Sequence, residues 1–166
     1  HVSQFGLESC AISAVGNDAL GTELLENFNR KGVNYLIENV PYPTGTVQVE
    51  IDQAGIPQYE IKENVAWDNI PYTARLESLA ERTRAVCFGS LAQRNVVSRN
   101  TINRFLDAMP QDDNRLIVFD VNLRQGFYNK EILCNSMKRC NILKINDEEL
   151  VTVSRMFGYP GIDLQD

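Results

Sequence analysis

Three short runs carry most of the reactive chemistry in this sequence: "GSLAQR" with Gln93 and Arg94, "DVNLR" with Asp120, Asn122 and Arg124, and "NDEEL" with Asn146 and Glu149. In the second, an acid, an amide and a guanidinium fall at alternate positions directly after the apolar run "LIVF". Side chains two apart on a strand share a face, so a strand that persists through Arg124 would aim all three at one spot. An arginine fork beside an amide suits a phosphate or a polyol. A structural reading competes: Asp120 and Asn122 can bond the backbone where the strand ends, with Arg124 paired to a nearby acid.

In "NDEEL", Asn146 followed by Glu149 is a capping box, in which the amide caps a helix and the carboxylate reaches back to the cap. The same oxygens would also suit water around a magnesium ion beside nucleotide phosphates, because Mg²⁺ keeps most of its waters. Both readings hold together, since a cap fixes Glu149 in place. "GNDALG" is simpler: its glycines suit a tight turn and Asp18 suits a helix cap. Trp67 reads as a packing anchor.

These groups need a scaffold. "ESCAISAV" reads as a strand, followed by a helix in which Leu20, Leu24, Leu25 and Phe28 form one stripe ending before Gly32, and then by the strand "VNYLIE". This is a β-α-β start, the unit of parallel sheets covered by helices. After it, Val47, Val49 and Ile51 alternate with polar residues, as do Tyr59 and Ile61 beyond the turn "QAGIP". Such a hairpin is marginal alone and must pair with something more. Residues 41–66 are therefore read as a small β lid, and residues 1–40 and 67–166 as a partial α/β core. Within the core, the sequence predicts a helix near Tyr72–Arg82, the strand "AVCFGSL" and a helix over Val96–Met109. The strand "RLIVFDVN", a helix over Lys130–Met137, the strand "CNILKIN" and a helix over Asp147–Phe157 follow. Ligands of open α/β sheets bind beyond the carboxyl ends of the strands. If these strands are parallel neighbours, the three polar runs converge on one cleft.

Composition narrows the class. The 166 residues are 43% hydrophobic and 23% charged, with a formal net charge of -6 and no basic stripe, which argues against nucleic acid as a partner. No apolar run reaches the roughly 20 residues of a membrane span, so the expectation is a cytoplasmic protein with no membrane partner. Cys10, Cys87, Cys134 and Cys140 form no C-x-x-C pair, and Cys10 and Cys87 are read as reduced core residues. The one histidine, His1, leaves a histidine triad or a histidine-bound zinc without material. The absence of an initial Met, and "HVSQFG" reading as a helix end at Gly6, point to a fragment.

The order of "AVGNDALGTELLENFNRKGVN", "PTGTVQVEIDQAGIPQYEI", "VAWD", "CFGSLAQR", "FDVNLR" and "KINDEEL" resembles the ribokinase-like (PfkB) carbohydrate kinases, and among them the bacterial fructokinases. The resemblance implies an incomplete three-layer α/β/α sandwich with a β-hairpin lid. It also implies transfer of the γ-phosphoryl group of ATP, with Mg²⁺, to a hydroxyl of fructose or a related sugar; the unpaired lid hairpin itself offers a surface for a possible homodimer. By the same resemblance, Gln93, Arg94, Asn122 and Arg124 face the sugar, and Asp120, Asn146 and Glu149 serve the ATP phosphates, Glu149 reaching the metal through water. The family's glycine-rich sugar segment would lie before His1. Its Gly-x-Gly-Asp element, with the base, would lie beyond Asp166, so no catalytic base is expected within these residues, which alone should be inactive. Two alternatives stand beside this reading. One is a non-catalytic sugar- or nucleotide-binding protein of the same fold. The other is a haloacid-dehalogenase-like phosphatase using Asp120, which lacks the second carboxylate at Asn122.

Overall fold

The computed structural model describes residues 2–51, 55 and 57–159. The chain divides into two units, His1–Pro71 and Tyr72–Asp166.

In the first unit a short 3-10 turn, Val2–Phe5, stands where the helix end was expected, and Gly6 follows it with a φ of 76°. Strand β1 (Ala11–Gly16) runs parallel to β2 (Tyr35–Val40), joined by helix α1 (Ala19–Arg30). Asp18 caps α1 by accepting from the Gly21 amide. Leu24, Leu25 and Phe28 are half-buried along α1, whereas Leu20, at its first turn, is 49% exposed. The core here joins Ala14 and Val40 of the strands to Ala66 and Ile70. Strands β3 (Val47–Ile51) and β4 (Pro57–Ile61) form the expected antiparallel hairpin, with Val49 opposite Tyr59. Most of the turn joining them lies outside the described residues. Val47, Val49, Ile51 and Tyr59 are all more than half exposed. The indole of Trp67 lies so close to Gly45 that any side chain there would strike it, which fits a packing role.

The second unit begins with α2 (Ala74–Glu81), capped by Thr73. Its sheet is β5 (Ala85–Gly89), β6 (Leu116–Asp120) and β7 (Ile142–Lys144), all parallel in the order β5-β6-β7. Helices α3 (Val96–Ala108) and α4 (Lys130–Arg139) make the two crossovers, and α5 (Asp147–Phe157) follows β7. Phe119, Val121, Leu133 and Val153 centre its core, with the Phe88 ring 5.3 Å from that of Phe119. Phe105, Leu106 and Met109 bury the inner face of the α3 region, as their spacing predicts. Helix α5 ends at Gly158 with a φ of 85°, the left-handed cap that glycine adopts without a Cβ penalty. Strand β7 is only three residues long, and the side chain of Asn141 extends it. Its Oδ1 accepts from the Ile117 amide at 2.8 Å and its Nδ2 donates to the Arg115 carbonyl at 2.7 Å.

Two expectations change. Strand β6 stops at Asp120 rather than continuing to Asn122. All four cysteines are free thiols, but Cys10 and Cys87 are exposed rather than core residues. Cys10 precedes β1. Cys87 lies on the outer face of β5, where Ala85 is exposed with it while Val86 and Phe88 alternate inward. Among the described residues, no helix is long and apolar enough to cross a membrane.

Candidate active site

The register brings the strand ends of the second unit into one row: Gly89 is opposite Asp120, and Asp120 is opposite Lys144. The three polar runs therefore do leave the sheet side by side, at its carboxyl edge. Lys144 is a member of this row that its sequence context did not flag. Its ammonium lies 3.0 Å from both carboxylate oxygens of Asp120. The Cys87 thiol is pushed above its usual value, first by desolvation and then by the Asp120 carboxylate, with Lys144 opposing. A thiol held protonated is a poor nucleophile.

Beyond Asp120 the chain leaves the strand through an unusual turn. The Val121 amide still donates to the Lys144 carbonyl at 3.0 Å, but Asn122 then takes a φ of 41° and Gln125 a φ of 47°. Non-glycine residues enter this left-handed region at a cost, asparagine least among them. Two side chains from elsewhere in the unit hold the turn. Ser90 Oγ donates to the Val121 carbonyl at 2.7 Å, and the Leu123 amide donates to Glu149 Oε1 at 2.8 Å. Glu149 also completes the expected capping box: its Oε2 accepts from the Asn146 amide at 3.1 Å, and Asn146 Oδ1 accepts from the Glu149 amide at 2.8 Å. One carboxylate, 8% exposed, thus fastens the start of α5 to the turn after β6.

The turn presents Arg124. Its Nη1 donates to the Leu123 carbonyl at 2.9 Å, and no carboxylate pairs with it among the described residues. The acid partner expected under the purely structural reading is not found among the described residues, and an exposed guanidinium stands beside the strand ends. The alternation argument for "DVNLR" does not apply, because only Asp120 lies in the strand. Asn122 and Arg124 are placed by the turn instead.

Gln93 is not placed to meet a sugar. It is 1% exposed, and its amide nitrogen donates to the Gly89 carbonyl and to Ser136 Oγ, each at 2.9 Å. It ties the turn after β5 to α4. The guanidinium of Arg94 stacks on the Phe127 ring, 4.4 Å from its centroid. Phe127 closes the same loop by donating its amide to the Arg124 carbonyl at 3.1 Å.

Glu149, expected to reach a metal through water, is turned toward the backbone. Both Glu149 oxygens already accept from backbone amides, and no group of three His, Cys, Asp or Glu side chains able to hold a metal occurs among the described residues. Arg124 offers donors that no acid claims among the described residues.

The pfkB family of carbohydrate kinases matches residues 1–160. The chain belongs to that family. It is 29% identical over 158 residues to the sugar kinase PH1459 of Pyrococcus horikoshii, covering 90% of this chain and 50% of that protein. It is 26% identical over 159 residues to an ATP-dependent 6-phosphofructokinase of Thermoanaerobacterium thermosaccharolyticum, covering 92% of this chain and 48% of that protein. This pfkB chain thus spans about half the length of the curated relatives it matches. Among solved structures, PH1459 in complex with ATP aligns with a TM-score of 0.78 and 29% identity over 93% of this chain and 53% of that one. Vibrio cholerae fructokinase aligns with a TM-score of 0.76 and 19% identity over 92% of this chain and 54% of that one, a likeness of fold. These alignments show the ribokinase-like α/β fold. Family membership also removes the haloacid-dehalogenase alternative, whose acid Asn122 cannot supply.

Proposed function

We propose that this pfkB chain forms the sugar- and phosphate-facing part of an ATP-dependent sugar kinase, which transfers the γ-phosphoryl group to a hydroxyl of fructose or a related sugar. The observation that carries this reading is Arg124: an exposed guanidinium without an acid partner among the described residues, on a turn held in left-handed backbone geometry by Ser90 and Glu149, at the carboxyl edge of a parallel sheet. In such an α/β sheet that edge is where ligands bind.

Phosphoryl transfer depends on positioning and on stabilising charge on the transferring oxygens, which ATP would bring to this edge. Arg124 would meet that charge, and Asn122 would offer an amide to sugar or phosphate oxygens. Lys144 neutralises Asp120, so the nearest carboxylate does not repel an incoming phosphate. Glu149 and Asn146 act through the backbone by fixing the turn. Arg94 orders the loop through Phe127. The base that deprotonates the sugar hydroxyl is assigned, by resemblance to the family, to an aspartate beyond Asp166.

An ADP-release assay on the full-length protein, with ATP, Mg²⁺ and a panel including fructose, ribose and fructose 6-phosphate, tests the proposal. Turnover of at least one of these is expected, and turnover of none overturns it. The phosphorylated sugar belongs in the panel because one relative is named a 6-phosphofructokinase. The exposed apolar residues of the β3–β4 hairpin support a homodimer through the lid. Sedimentation should then show a dimer that Val49→Lys dissociates, and an unchanged sedimentation coefficient would refute that interface.

A further inference from the structure

At the amino end of β6, opposite the edge that carries Arg124, lies a cleft of about 430 Å³. Its lining is mainly polar, with Arg115, Lys138, Arg139, Asp107 and Gln111 around the nearly buried Leu106 and Ile117. Three cations face one carboxylate, in a chain whose formal net charge is -6. Asp107 is engaged by Arg139, which also donates to the Asn103 carbonyl at 3.1 Å. The other two cations have no acid among the described residues. The one side-chain hydrogen bond of Arg115 runs from Nη1 to the Pro110 carbonyl at 3.4 Å, and Lys138 makes no hydrogen bond or ion pair among the described residues.

The arrangement is partly preorganised. The Arg139 guanidinium is held by Asn103 and Asp107 and the Arg115 main chain by Asn141, so one guanidinium and the root of the second are fixed before any ligand arrives. Arg115 and Lys138, without an acid among the described residues, beside Arg139 in a mainly polar cleft of small-ligand size, select a compact polyanion. We propose that this cleft is a second anion site that binds a small phosphorylated molecule, held by Arg115, Lys138 and Arg139. Strand β6 separates it from the carboxyl edge by about 15 Å at the rise of an extended chain, too far for one phosphate to reach both.

The test is calorimetric titration of the full-length protein with inorganic pyrophosphate in an Arg124→Ala background, which removes the main cation of the carboxyl edge. Binding is expected to persist there, and to weaken about tenfold or more when Arg115→Ser and Lys138→Ser are added. Lys138→Glu alone, which breaks no contact within the fold, should weaken it as well, so misfolding cannot account for the loss. The proposal is overturned if the Arg124→Ala protein binds no pyrophosphate up to about 10 mM, or if the added substitutions leave affinity unchanged. Tighter competition by polyglutamate than by any phosphorylated compound would assign the cleft to an acidic protein segment and overturn it equally.

Discussion

At the turn between β1 and α1, Asp18 and Thr44 form a closed knot. Asp18 Oδ1 accepts from the Gly21 amide at 2.8 Å and the Thr44 hydroxyl at 2.6 Å, Oδ2 accepts from the Thr44 amide at 2.8 Å, and the Gly16 amide donates to Thr44 Oγ1 at 2.9 Å. At the turn after β6, Ser90 and Glu149 hold the backbone just as firmly, yet among the described residues Arg124 is left outside with only a neighbouring carbonyl. Both turns follow the carboxyl end of a parallel strand, and both are rich in polar side chains. The difference is where those groups end. In the first, each acceptor of Asp18 is saturated by its own fold and the glycines leave no space, which is how a structural joint is built. In the second, the holding groups are saturated and the presented group is not, which is how a binding group is built.

Four changes would break or sharpen this contrast. The largest effect is expected at the closed knot. A Cβ on Gly16 would lie 2.4 Å from the Tyr42 carbonyl oxygen and 2.8 Å from the Thr44 nitrogen, both backbone atoms. Gly16→Ala should cost about 2–4 kcal/mol in chemical denaturation, because backbone cannot move aside as a side chain can. A cost below about 0.5 kcal/mol would show that the knot opens readily. Next, Arg124→Ala should lower kcat/KM of the full-length protein in the proposed kinase reaction about 100-fold, near 2.7 kcal/mol, while stability moves by less than about 0.5 kcal/mol. Intact kinetics with lost stability would move Arg124 to the structural side of the comparison.

Glu149→Gln tests whether the holding groups act through the backbone. The amide keeps one acceptor oxygen for two backbone donors, so about 1–2 kcal/mol of stability should be lost, together with part of the kinase activity. Unchanged protection of the Leu123 amide in hydrogen exchange would contradict the fastening role. The smallest effect is expected from acid. The Thr44 hydroxyl, then the Thr44 and Gly21 amides, lower the Asp18 carboxyl below its ordinary value of 3.8. A group depressed on folding stabilises fully above its unfolded value, and that contribution disappears as pH falls through the folded one. Denaturation midpoints measured below pH 3.8 should therefore drop less steeply in Thr44→Val than in the wild type. Parallel pH profiles would show that Asp18 is not linked to folding through Thr44.

Locally encoded features were legible in the sequence. The caps at Asp18 and at Asn146 with Glu149, the start of α5 at Asp147, and the alternation of the hairpin all depend on neighbours within a few residues. The parallel strand ends were legible too, because apolar runs ending in polar clusters mark that edge. What escaped depends on partners distant in the chain. Strand β6 stops where Ser90, 31 residues earlier, and Glu149, 26 residues later than Leu123, seize its backbone. Gln93 looked like a surface donor until Ser136, 43 residues away, was placed against it. Lys144 could be matched to Asp120 only through the register between β6 and β7.

That register has a consequence of its own. A strand of three residues has few backbone rungs with which to choose its alignment, and a slip by one position would point each side chain the other way. The Asn141 amide imitates an additional peptide unit, pairing with Arg115 and Ile117 as a further rung would. It works as an index pin at the far edge of the sheet from Arg124, and the alignment it selects decides that a lysine, rather than its neighbour, arrives opposite Asp120. Replacing Asn141 by leucine would leave every residue near the turn after β6 unchanged in identity, and still loosen the pairing that keeps that turn free of an unbalanced negative charge.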